Sequence, residues 1–217
     1  MSQNKDKSAT TAAKPVTWWR RHRLPLFAGV IFLGLAAVVF MIAENQAQKK
    51  IVGFPDFAES PFSLTDQRGA LRTNADFSGQ PIALFFGFTY CPDICPTTLI
   101  SLANAMDELR DDGVDTTNVQ VIFISVDAAR DTPQQLREYL TLFDMDVVGL
   151  TGDAGALAGA RQSFGAFAQK ITTDDGDVSW DHSAAVYLYR ANGKFAGTIV
   201  FNEAAAFITE KLRNLLS

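Results

Sequence analysis

The chain has two cysteines, Cys91 and Cys95, set three residues apart in Cys-Pro-Asp-Ile-Cys. It has two histidines, His22 near the N-terminus and His182 in the C-terminal half. A thiolate is both a nucleophile and a soft metal ligand, and its availability depends on how far the thiol pKa is lowered. Two thiolates and an imidazole make a three-donor soft set. Thiolate softness favours Cu(I), and imidazole also suits copper. Zinc ordinarily asks for a fourth ligand, a water or an acid, so donor number prefers copper without excluding zinc. Two other uses of the cysteines stand beside metal binding. A structural Cys91–Cys95 disulfide would close a loop of about five residues and stabilise by only ~2 kcal/mol. A redox dithiol with no metal is the stronger rival. A lone histidine is more often a hydrogen-bonded residue than a ligand.

Such chemistry needs elements that hold the sulfurs together. Residues 82–89 form a nearly continuous apolar run, the pattern of a central buried strand. Pro96 suits a first helical position, and the stretch from there to about residue 110 reads as a helix. The cysteine pair therefore falls between a buried strand and a helix N-terminus, where partial positive charge and free N–H groups lower a thiol pKa. His182 lies just ahead of a further strand, 184–189.

The remaining segments alternate in type. Residues 62–65 read as a short strand before a Gln-Arg-Gly turn, 119–126 as a second buried strand and 147–150 as a short one. Thr132-Pro133-Gln134-Gln135 is a helix start with a capping Thr and Pro at the first helical position. That helix runs to about residue 143. Asp153 caps another, ended by Gly165. Strands 184–189 and 195–201 flank an Asn-Gly hairpin signal. The apolar spacing of Phe207, Ile208, Leu212, Leu215 and Leu216 makes 203–216 an amphipathic helix. Periodicity alone supports an α/β domain with helices on both faces of a central sheet. A βαβ unit followed by a hairpin and a closing helix is the thioredoxin layout.

Residues 24–43 (LPLFAGVIFLGLAAVVFMIA) carry no charge. At about 1.5 Å per residue the run spans ~30 Å, the thickness of a bilayer core. Trp18 and Trp19 precede it, and Arg20, Arg21 and Arg23 flank its N-terminal side. The basic flank puts residues 1–23 in the cytoplasm and the domain on the far side of the cytoplasmic membrane, in a periplasm or equivalent space. The run is longer than a cleaved signal's apolar core, and no convincing cleavage site follows. The expected organisation is a tail at 1–23, a transmembrane anchor at 24–43, a linker at 44–55 and the domain at 56–217.

Residues 1–43 hold six Lys/Arg and one acid, leaving 13 basic against 23 acidic residues in the rest, a net charge of −10. Nucleic-acid binding needs clustered cations, so that class of partner is excluded.

Three blocks together resemble the Sco/SenC family. The first is Phe88-Thr89-Tyr90-Cys91-Pro92-Asp93-Ile94-Cys95-Pro96-Thr97-Thr98-Leu99. The second is Ile124-Ser125-Val126-Asp127-Ala128-Ala129-Arg130-Asp131-Thr132-Pro133, with an Asp-x-x-x-Asp followed by Thr-Pro. The third is Asp181-His182-Ser183. They occur in the family's order, and the resemblance covers about residues 54–216 and the anchor. Ala128 stands where family members often have Pro, and the acidic loop 171–180 matches loosely. The resemblance implies a thioredoxin-like fold with an inserted hairpin or helix. It implies copper, Cu(I) or Cu(II), held by Cys91, Cys95 and His182. It implies help in assembling the CuA centre of cytochrome c oxidase subunit II, by delivering copper or by keeping that subunit's cysteines reduced. In the second role Cys91 and Cys95 are the catalytic redox pair. Asp127 and Asp131 are motif residues, read equally as loop charges or caps and as metal contacts. A redox or copper sensor and a peroxidase are more distant readings on the same residues.

Overall fold

The computed structural model describes residues 53–173 and 175–217, together with Gly34, Leu35 and Val38. The expected tail and all but those three residues of the expected anchor lie outside the described residues. Among the described residues no helix is long and apolar enough to cross a membrane.

Residues Phe54–Ser217 form one compact unit. Its elements are β1 (Ser63–Asp66), β2 (Leu71–Thr73), β3 (Ile82–Gly87), α1 (Ile94–Asp111), β4 (Gln120–Ser125), α2 (Pro133–Leu140), β5 (Val147–Thr151), α3 (Ala154–Ser163), β6 (Ala168–Thr172), β7 (Val178–His182), β8 (Val186–Tyr189), β9 (Phe195–Ile199) and α4 (Ala205–Leu216). Seven strands make one sheet in the order β2-β1-β5-β4-β3-β8-β9, and β6 and β7 make a separate two-stranded sheet.

The apolar runs explain the centre. Every residue of β3 is buried, as is all of β4 except Gln120. The two lie parallel, Ile82 opposite Gln120 through Gly87 opposite Ser125, with α1 as the crossover. Parallel strands covered on both faces read as continuous hydrophobic sequence because neither face meets water. On the other side of β3, β8 pairs antiparallel, and β9 follows β8. This βαβ unit, antiparallel hairpin and closing helix is the thioredoxin-like core. The helices α1 and α4 pack together, α2 lies on β5 and α3 on β1. An aromatic group of Phe57, Phe62, Phe77, Phe164 and Tyr189 fills the interior away from the cysteines.

Helix ends follow the expected chemistry in two places. Thr132 Oγ1 accepts from the Gln135 N–H at 3.2 Å, with Pro133 opening α2. Asp153 Oδ1 accepts from the Ala156 N–H at 2.8 Å, and Gly165 takes the left-handed conformation (φ 65°) after α3. In three places the structure differs. Helix α1 starts at Ile94, so Cys95 and Pro96 are both in its first turn, where the missing N–H of proline has no partner to lose. The acidic stretch read as a loop is instead the β6–β7 hairpin, which ends at His182. The strand β2, three residues long, pairs with β1 where only a turn was read.

Candidate metal centre

The site lies at the carboxyl ends of β3 and β4, the end of a parallel sheet where loops gather functional groups. Strand β3 delivers the chain into the turn that carries Cys91, and the Cys91 N–H donates to the Phe88 carbonyl at 3.2 Å. Asp93 precedes α1 in a non-helical conformation. Cys95 sits one residue inside the helix and is fully buried; Cys91, at the mouth of the turn, is 9% exposed. The backbone N–H of Cys95 points at Cys91 Sγ, 3.4 Å away.

His182 arrives from the end of β7, its backbone paired with Ala168. Its Nδ1 lies 3.0 Å from the Ser183 carbonyl, an acceptor, so Nδ1 carries the proton and Nε2 faces the sulfurs. Nε2 is 3.7 Å from Cys95 Sγ. Phe88 and Phe85 flank the imidazole edge-on, with centroids at 5.7 and 6.1 Å. One donor atom from each of Cys91, Cys95 and His182 lies within 4.8 Å of the others. The three candidates, separated by up to 91 positions, are brought to one point.

The two thiols are driven apart electrostatically. Cys91 is pulled down to about 4, chiefly because the Cys95 S–H donates to its sulfur; burial opposes this, and the His182 side chain and the N–H groups of Cys95 and Asp93 add to it. Cys95 is pushed up, first by sharing that hydrogen bond and then by burial and by the Cys91 anion. At neutral pH the pair therefore holds one proton between two sulfurs.

Gly87, the last residue of β3, makes room for the second sulfur. A Cβ there would stand 2.9 Å from Cys95 Sγ and 2.8 Å from the Phe123 ring, closer than atoms pack. Sequence reading treated Gly87 as one more member of an apolar run, and nothing in its neighbours distinguishes it.

Asp127 and Asp131 are buried near the site, but among the described residues they do not join its donor cluster. Asp131 is a fastening point. Its carboxylate accepts from Thr89 Oγ1 at 2.7 Å, from the Thr89 N–H at 3.2 Å and from Ser125 Oγ at 2.6 Å. Burial raises its pKa, and the Ser125 and Thr89 hydrogen bonds act against that rise. The carboxylate thus pins the turn entering the cysteine segment, Thr89, to the end of β4. Asp127 pairs with Arg130 and accepts the Ala129 N–H at 3.3 Å, holding the turn in which both acids sit. Neither acid caps α2; Thr132 does. Thr89 and Ser125 stand in the first and second family blocks, but neither has a role legible from the sequence, where they are ordinary polar residues at strand ends.

The chain is similar to solved and curated proteins. ScoI of Bradyrhizobium japonicum, solved with copper bound, is 38% identical with a TM-score of 0.61, covering 72% of this chain and 98% of that one. ScoI of Arabidopsis thaliana, also solved with copper bound, is 36% identical with a TM-score of 0.66, covering 71% and 95%. An SCO2-like protein of Rickettsia felis is 31% identical over 191 residues, 84% of this chain and 92% of its own length. The SCO1/SenC family model matches residues 53–217, which takes in the cysteine turn, the Asp127–Asp131 loop and His182 alike. The family-model match over residues 53–217, with relatives at least 31% identical over most of their own length, places this chain in the SCO1/SenC family.

Proposed function

We propose that this chain takes up copper through Cys91, Cys95 and His182 and passes it toward the CuA centre of cytochrome c oxidase subunit II. The observation that carries the reading is the convergence of two sulfurs and one imidazole nitrogen within 4.8 Å. The donor set is soft, and one sulfur is already ionised, which suits Cu(I). The copper-bound ScoI relatives support the choice of metal. Three donors at the open end of a sheet leave room for an acceptor thiolate or imidazole to join before the chain's own ligands let go, so transfer proceeds by ligand exchange. The apolar run at 24–43 anchors the chain in the cytoplasmic membrane, with the acidic domain outside.

The experiment is copper stoichiometry on the reduced full chain in detergent, loaded anaerobically, beside Cys91→Ser, Cys95→Ser and His182→Ala. One copper per wild-type chain, lost or weakened in each variant, is the expected result. No retained copper in the wild type, with a reversible Cys91–Cys95 disulfide, would overturn it.

A second reading has its own observation. An acidic, more accessible Cys91 beside a buried, protonated Cys95 is the pairing of an attacking and a resolving thiol. On that reading the chain reduces the cysteines of the oxidase subunit. The two roles are compatible, since an acceptor must be reduced before it takes copper.

A further inference from the structure

We propose that Arg130 is the positioning residue that holds the His182 hairpin against the cysteine turn. The β6–β7 hairpin is not paired with the seven-stranded sheet. Both its strands are largely exposed: only Ala168 of β6 and Ser179, Trp180 and His182 of β7 are partly covered. A lone two-stranded ribbon is marginal in water. It carries one of the three donors, and its hold on the rest of the domain combines the packing of Ala168 and Trp180 against the core with a polar contact from outside the ribbon.

Arg130 touches all the segments concerned. Its Nε pairs with Asp127 in its own loop. Its Nη1 donates to the Val178 carbonyl at 3.0 Å, and Val178 opens β7, the strand that ends at His182. Its guanidinium carbon lies 4.8 Å from the centre of the Tyr90 ring and 5.8 Å from that of Phe88. Tyr90 immediately precedes Cys91, and Phe88 is the ring set edge-on to His182. Among the described residues, the hydrogen bonds running from hairpin residues 168–181 to other parts of the chain come down to this one. A planar guanidinium can hold a carboxylate, a carbonyl and a ring face at once; an ammonium cannot match that fork.

The role rests on the copper reading only for its functional readout, and two measurements keep the failures apart. The first is amide exchange on the full chain. Arg130→Gln should speed exchange along β7 while β3 and β4 stay protected. Because this variant leaves Asp127 buried without its cation, Asp127→Asn/Arg130→Gln is measured beside it. The second is Cu(I) affinity by competition. Arg130→Gln should weaken binding about tenfold, the lower end for groups that orient a ligand. It should add nothing in a His182→Ala background, because it acts through His182. Arg130→Lys should fall between.

Equal losses in both backgrounds, unchanged β7 exchange, or loosening of β3 and β4 in both variants would each overturn the proposal. If the wild type holds no copper, the proposed function fails. The exchange measurement alone then decides Arg130, for or against.

Discussion

Cys95 Sγ and His182 Nε2 stand 3.7 Å apart although 87 positions of sequence separate them. The sulfur belongs to a buried helix start, the nitrogen to the end of an exposed ribbon. The pair therefore joins a rigid element to one with little stability of its own.

Removing the nitrogen should cost affinity without costing fold. His182→Ala is expected to weaken Cu(I) binding at least about tenfold, with a thermal midpoint close to that of the wild type. His182 is partly exposed, and its ring meets the core only edge-on at Phe85 and Phe88, so the two readouts should separate. Competition against a Cu(I) chelator decides the first and calorimetry the second; full affinity in the variant would reduce the site to its two sulfurs.

The acidity of Cys91 has a pH signature. Alkylation of the reduced chain should stay fast until the pH approaches about 4, where Cys91 takes up its proton. The same shift bears on stability. An unfolded thiol titrates near ~8.5, and Cys91 is depressed in the folded state. Its contribution is fully present above the unfolded value and is lost as pH falls through the folded one. Cys95 is raised, so it acts in the opposite sense, favouring unfolding once pH exceeds the unfolded value. The urea midpoint of the reduced wild type should climb between these limits relative to Cys91→Ser; parallel curves would count against an ionised Cys91.

The thiols are unequal in exposure as well, and this predicts their order in disulfide exchange. Cys91 is at the mouth and Cys95 fully enclosed. Cys95→Ser should accumulate a mixed disulfide at Cys91 with a small-molecule disulfide, whereas Cys91→Ser should react slowly. Mass spectrometry of quenched samples reads both. Trapping at Cys95 instead would reverse the assignment.

Asp131 should matter to fold more than to metal. Asp131→Ala leaves the buried Ser125 hydroxyl and the half-buried Thr89 donors without their acceptor, at a cost of about 3 kcal/mol. The check is the free energy of urea unfolding. Asp131→Asn keeps an acceptor oxygen and should lose less. A copper affinity that fell in Asp131→Asn with stability intact would make the carboxylate a ligand after all.

Much of this was legible because the decisive residue types are scarce. Two cysteines and one histidine in the domain leave few ways to build a soft site, and apolar runs as long as those of β3 and β4 have few uses other than central strands. The hairpin, which the family resemblance implied only as an alternative to a helix, had no signal of its own for the opposite reason. Its sequence, AQKIT and VSWDH around an acidic turn, has too little apolar alternation to show a buried face, because most of it has none. The α1 start was displaced by two residues since Pro96 is tolerated anywhere in a first turn, not only at its first position. Thr89 and Ser125 owe their importance to Asp131, more than forty positions from the one and six from the other. No local pattern marks such a partnership.

Gly87 carries a last consequence. Its backbone is not among the positive-φ positions, so conformation does not demand glycine there; the requirement is for an absent methyl group. The Phe123 ring of β4 and the Cys95 sulfur both border that space. The floor of the sheet thus acts as a gauge on how deep the second sulfur may sit. With alanine in its place all three donors would survive unaltered, but the Cys95 sulfur, the Phe123 ring or both would have to move. The position of a donor atom is therefore set partly by the strand beneath it, and not by the donors alone.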